Sequence, residues 1–290
     1  MRQPMDEVVP RIWLCGVRNW LTTDAVTKVI FTTSWDLLTS TANRCVTETF
    51  KTVVRQTGVV HNWPHLAYHE VTALLCLPHL AWSLVALENY SVAVMSSSKA
   101  ERVKKYSTKD VFGYFSNVKD PDTGELILRP QDVRRNAANF IIAGSDTTAS
   151  SVAATFFYLS HDPTAYAKVA QEVRSAFESA STIKAGPILN NCVCLRAAIN
   201  EALRMAPAAP QPLWREAEAG GCVVDGDLIQ ASLNVGAGIF SLQHNVDAFP
   251  DPYKYDIERW IIDPRKGEVK EKERIKEMSR SWAPFFVGSR

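Results

Sequence analysis

Apolar residues recur at helical spacing along most of the chain, and the period predicts helices over residues 21–38, 41–56 and 82–105, the last turning basic at its end. Lys119-Asp-Pro-Asp-Thr-Gly-Glu125 reads as a turn-rich link, after which Pro130 stands where the first turn of a helix tolerates a proline. From there to Ser160 only Gly144 interrupts the pattern, until His161-Asp162-Pro163 closes it. About 30 residues at 1.5 Å each give a helix of roughly 45 Å, long enough to cross a domain, so it is expected to be central. Further helices are predicted over 163–180 and 190–205, the second closed by Pro207 and Pro210. The texture then changes. Residues 222–229 flank Asp225-Gly226, the signal of a two-residue hairpin turn, and residues 233–242 continue as a strand-like run. Residues 263–280 carry twelve charges of both signs and read as a solvated helix supported by the Glu268/Lys272 pair. The fold class expected is mainly α with a small β-sheet part, organised around one long central helix.

Composition narrows the class of protein. With 290 residues, 46% hydrophobic and 22% charged, the chain has the make-up of a globular protein, not of a disordered or collagenous one. Lys plus Arg number 32 and Asp plus Glu 31, a formal net charge of +1, so no broad field draws nucleic acid and none is expected as a partner. A long, strongly apolar uncharged stretch, residues 71–87, is interrupted by Pro78 and His79 and is too short and broken for a membrane span. It reads either as a buried helix pair or as an apolar surface that dips into a bilayer. A proline and two acids stand near the start where a signal peptide would carry its apolar core, so no secretory signal is expected. The six cysteines are too sparse to staple a chain of this length, which favours a reduced interior. Cys192-x-Cys194 could hold zinc, but no second pair at finger-like spacing follows, and packing is the preferred reading; no metal site is expected.

Two places invite chemistry. The middle of the long helix reads Ala143-Gly144-Ser145-Asp146-Thr147-Thr148. A glycine there costs about 1 kcal/mol relative to alanine, and the Thr147 hydroxyl can bond back to the Ala143 carbonyl and bend the helix. Ala143, Thr147 and Ser150 or Ser151 share a face, offering either a small groove for a flat ligand or a close helix crossing that needs small residues. Glu201 and Arg204 stand one helical turn apart, and Arg259 in Tyr255-Asp-Ile-Glu-Arg-Trp260 supplies a second guanidinium for an internal carboxylate brace.

These pieces, in this order, resemble the cytochromes P450, heme-thiolate monooxygenases, and most closely the fungal microsomal type. The family's A-G-x-D-T-T is matched at Ala143 to Thr148, and its E-x-x-R at Glu201 to Arg204, followed by Pro207 and Pro210. Its F-x-P-E-R-W is matched at Tyr255 to Trp260, with Tyr for Phe and Ile for Pro, and its F-x-x-G-x-R at Phe285, Gly288 and Arg290. The resemblance covers the chain from about Trp20 to the last residue. It implies that residues 1–290 are a single, partial P450 domain, with Asp146 and Thr147 over the heme managing protons during oxygen activation, and Ala143 and Gly144 beside it. Glu201, Arg204 and Arg259 would brace the fold behind the heme. Arg215 and Arg290 would bind propionates, and Phe285 and Gly288 would shape the heme loop. Residues 71–87 would fall at the family's F and G helices, which line the substrate channel and touch the membrane.

The activity implied is heme-dependent oxidation or hydroxylation of an apolar small molecule, using O2 and electrons from an NADPH-cytochrome P450 reductase, at the cytoplasmic face of the endoplasmic reticulum membrane. The departures are as informative. The family's heme-ligand cysteine lies two residues beyond the position of Arg290, where this sequence stops, and none of the six cysteines has the preceding Phe-x-x-Gly-x-Arg. The axial cysteine, the helix after it, and the amino-terminal anchor and sheet region are therefore expected to be missing. The chain alone is expected to take up heme poorly and to be inactive. A non-catalytic remnant serving as a binding or interaction protein is the other reading.

Overall fold

The computed structural model describes residues 11–41, 43, 44, 47, 54, 58, 85 and 110–286. The predicted helices over 41–56 and 82–105, the apolar stretch 71–87, and Gly288 and Arg290 fall largely or wholly outside the described residues. The chain divides into two compact units, Met1–Ala149 and Ser150–Arg290.

In the first unit, α1 spans Arg11–Phe31, α2 spans Val111–Asn117, and α3, Pro130–His161, begins. The predicted 21–38 helix is thus corrected at both ends. Its apolar period runs on past Phe31 because Trp35 and Leu37 are buried too, but Thr32 and Asp36 turn left-handed at φ 60° and 56°. Side chains hold the irregular backbone that follows. The Asp24 carboxylate accepts from the Leu37 and Leu38 amides at 3.0 and 3.1 Å, while Arg44 donates to the carbonyls of the same two residues at 2.8 and 3.2 Å. Ile30, Phe31, Trp35 and Leu37 form one core with Ala137 and Ile141 of α3. α2 begins at Asp110, whose side chain caps it by accepting from the Gly113 amide at 2.7 Å.

In the second unit, Asp162 caps α4, Pro163–Ala176, which ends short of residue 180 because Phe177 is extended. A short helix α5, Pro187–Asn190, precedes α6, Val193–Met205. The amino terminus of α6 is held by a side chain from α4: the Glu172 carboxylate accepts from the Cys194 and Leu195 amides at 3.0 and 2.9 Å, placing negative charge at the positive end of the helix. Leu159, Ala165, Val169, Ala197, Ala198 and Ile257 form the core here.

The expected small sheet consists of two separate antiparallel ladders. β1, Arg215–Glu216, pairs with β4, Asn234–Val235. β2, Cys222–Val224, pairs with β3, Asp227–Ile229, through Asp225 and Gly226 at φ 52° and 90°, the positive angles that such a tight hairpin turn requires. The strand-like reading of 233–242 is corrected. After Val235 the glycines 236 and 238 interrupt the strand and the chain enters helix α7, Ile239–Gln243. Ile239 and Gln243, one helical turn apart, are the buried positions. The charged segment forms α8, Glu268–Arg280, with Lys272 Nζ 2.5 Å from Glu268 Oε1. Its buried side is marked by Glu271 and Met278. No helix among the described residues is long and apolar enough to cross a membrane.

Candidate functional site

At the middle of α3 the Thr147 hydroxyl donates to the Ala143 carbonyl at 2.6 Å, a bond back onto the preceding turn. Ala143 and Thr147 share an exposed face, Asp146 is half-buried and Ser145 is buried. Gly144 has a separate explanation: a Cβ there would lie 2.9 Å from Val26 Cγ2 of α1. The two readings of this segment therefore divide between its faces. Gly144 serves a close helix crossing, and Ala143 with Thr147 presents a methyl and a hydroxyl.

Glu201, Arg204 and Arg259 come together in the second unit. Glu201 and Arg204, both on α6, are completely buried. Arg204 donates Nε and Nη2 to the two Glu201 oxygens at 2.9 Å each, the bidentate geometry that suits a planar guanidinium. The remaining arginine donors reach the carbonyls of Gln243, Pro252 and Lys254. Arg259 Nε lies 3.3 Å from Glu201 Oε1, within ion-pair range but without hydrogen-bond alignment, and its Nη2 donates to the Asp251 carbonyl at 2.9 Å. The carboxylate also accepts from Trp260 Nε1 at 2.9 Å and the Asp256 amide at 3.1 Å. A charge taken wholly from water is tolerated only with this degree of compensation.

Arg215 stands exposed on β1 at the rim of a cavity of about 420 Å³, whose walls include Leu213, Val235, Ile239, Leu242 and Phe286. Its Nη1 donates to the Trp214 carbonyl at 3.0 Å. The walls are mainly apolar, the charged lining groups are the Arg215 guanidinium and the Glu216 carboxylate, and the guanidinium can pair with a carboxylate on a flat apolar group. Phe285 is exposed, and Phe286 is held left-handed at φ 63°, a conformation that costs a bulky side chain about 1–3 kcal/mol. No cluster of three His, Cys, Asp or Glu side chains that could hold a metal occurs among the described residues. Cys192 Sγ, buried, donates to the Ile188 carbonyl at 3.6 Å, and burial, then the neighbouring Glu172, pushes the Cys194 thiol pKa up.

Sequence reasoning missed several groups that complete this region. Gln243 is fully buried and touches both α6 and Ala283. Trp282 Nε1 donates to the Asn200 carbonyl at 3.1 Å. Tyr255 donates to the Ala198 carbonyl at 3.0 Å and stacks on Tyr158 at 4.9 Å; burial, reinforced by Glu201, drives its hydroxyl pKa far above the usual value. Tyr255 stood in the motif at 255–260 without a role of its own, and a further visible signal was polar Gln243-His244 directly after the 233–242 run.

The sequence profile of the family described as Cytochrome P450 matches residues 18–290. Cytochrome P450 monooxygenase poxM of Penicillium oxalicum is 35% identical over 275 residues, covering 94% of this chain and 51% of poxM. Cytochrome P450 monooxygenase apf8 of Gibberella fujikuroi is 35% identical over 273 residues, covering 94% of this chain and 72% of apf8. The chain thus spans about half the length of poxM. The crystal structure of a mutant cytochrome P450DA heme domain matches with a TM-score of 0.70 at 19% identity, over 95% of this chain and 56% of that one. That likeness is one of fold.

Proposed function

The chain belongs to the cytochrome P450 family, and from that membership we propose that residues 1–290 form part of one domain carrying the oxygen-activating and heme-holding residues of a monooxygenase. The reaction is oxidation or hydroxylation of an apolar small molecule with O2 and electrons from an NADPH-cytochrome P450 reductase, at the cytoplasmic face of the endoplasmic reticulum membrane. Bound heme supplies the redox chemistry. Thr147 supplies a hydroxyl that can hold and pass a proton, anchored through its own bond to Ala143, and the neighbouring Asp146 side chain, after taking a proton from solvent, can return it to that hydroxyl. Ala143 is small enough to let a flat group approach the exposed face of the helix, while Gly144 beside it serves the crossing with Val26. Arg215 would pair with one heme carboxylate and Arg290 with a second, and Phe285 and Gly288 belong to the same family motif as Arg290. None of the six cysteines follows a Phe-x-x-Gly-x-Arg sequence, so no cysteine of this chain is assigned as the iron ligand.

The observation that carries the heme reading is the apolar cavity with Arg215 at its rim. Titration of the purified chain with hemin, followed by absorption, tests it. Arg215→Ala is expected to weaken binding about tenfold, the worth of one hydrogen bond to a charged group. Equal affinity in the variant would remove Arg215 from the site.

A further inference from the structure

We propose that Gln243 is a positioning residue that fixes the segment beginning at Ala283, and with it the Phe286 wall of the Arg215 cavity, to the end of α6. Its amide spans two elements. Nε2 donates to the Leu203 and Arg204 carbonyls, each at 3.1 Å, which belong to the last turn of α6, where carbonyls lack helical partners. Oε1 accepts from the Ala283 amide at 3.1 Å. The backbone carbonyl of Gln243 takes Arg204 Nη1 at 2.9 Å, so the residue is clamped from both its side chain and its main chain.

The orientation of the amide is settled by its partners: turned over, it would set oxygen against two carbonyls and NH2 against an N–H. No other neutral side chain of this length offers two donors and an acceptor in one plane. Beside it, Trp282 Nε1 donates to the Asn200 carbonyl, so residues 282 and 283 are tied to α6 once directly and once through Gln243. Phe286 follows at a strained φ of 63°, and a strained residue holds its place only when its surroundings over-determine it. Ala283 and Phe286 both line the cavity that Arg215 borders. The buried charge of Glu201 and Arg204 is thereby linked, through one amide, to the wall of that cavity.

Amide hydrogen exchange of the 290-residue chain without heme tests the positioning role, which does not depend on the heme reading. In Gln243→Leu the Ala283 amide should exchange about tenfold faster, as the loss of one hydrogen bond predicts, while amides inside α6 from Ala197 to Ala202 keep their protection. Gln243→Glu retains the acceptor, so Ala283 should stay protected although the variant is less stable overall. If the leucine variant does not fold, Gln243→Met preserves length and packing and replaces it. Unchanged exchange at Ala283, or loss in step with α6 in both apolar variants, would overturn the proposal and reduce Gln243 to core packing. Hemin titration of the same variants judges the other reading: faster exchange at Ala283 with undiminished hemin affinity would leave the positioning role standing and detach this wall from heme.

Discussion

At Glu201 one carboxylate gathers donors from α6, from Asp256 and from Trp260, all inside the protein, with Arg259 alongside. At Thr147 a hydroxyl on an exposed helix face turns back to its own helix. Both positions carry family motifs, yet they answer to different physics. The first is a closed network whose members satisfy one another, so its worth is structural and can be read as stability. The second spends a hydrogen bond locally and keeps small groups on the surface, so it adds little to stability, and the proton-delivery role proposed for it has to be read in chemistry instead.

The sharpest way to break this contrast is Glu201→Ala. It would strand two guanidiniums, Arg204 with no exposed surface at all, and should cost about 3–5 kcal/mol of unfolding free energy. Urea denaturation of the purified chain measures it. A loss of under about 1 kcal/mol, the value for an exposed pair, would mean that the network does not hold the second unit together.

How much of this was legible in the sequence follows the range of the interactions. The limits of α3 were readable because Pro130 and His161-Asp162-Pro163 punctuate it, and the β2–β3 hairpin because Asp225-Gly226 names its turn. Glu201 and Arg204 are neighbours on one helix, and a family motif flagged them. Gln243 serves carbonyls at 203 and 204 and an amide at 283, distances along the chain at which no periodicity survives. Within the strand-like run 233–242, residues 239–242 belong to a helix, and an apolar run this short cannot be told from one helical turn. The end of α1 at Phe31 was hidden because buried Trp35 and Leu37 carry the apolar signal through an irregular segment pinned by Asp24 and Arg44.

Gly144→Ala tests the divided reading of α3 and should have an intermediate effect. Alanine gains about 1 kcal/mol of helix propensity, but its methyl would meet Val26 Cγ2 at 2.9 Å, and valine is stiff at χ1. Overpacking costs typically about 1–3 kcal/mol, so a net loss near 1 kcal/mol is expected. Val26→Ala in the same chain should reverse it. If Gly144→Ala instead stabilises the protein, the crossing is not tight and Gly144 returns to the exposed groove.

Thr147→Ala should have the smallest effect on stability. The hydroxyl is exposed and donates to a carbonyl of its own helix, threonine is the poorer helix former by about 0.5 kcal/mol, and the back-bond it loses bends the helix slightly. A change within about 0.5 kcal/mol is expected in denaturation, together with hemin affinity like that of the parent chain. The difference should emerge only where protons are delivered. In the reductase-coupled reaction of heme-loaded protein extended with the family's cysteine-ligand loop and amino-terminal region, loss of the hydroxyl should divert reducing equivalents from product to hydrogen peroxide, and Thr147→Ser should restore the balance because it returns the same donor to the same carbonyl. If product formed per NADPH is the same in all three proteins, Thr147 has no part in proton delivery, and the exposed face of α3 would differ from the Glu201 network only in burial, not in kind.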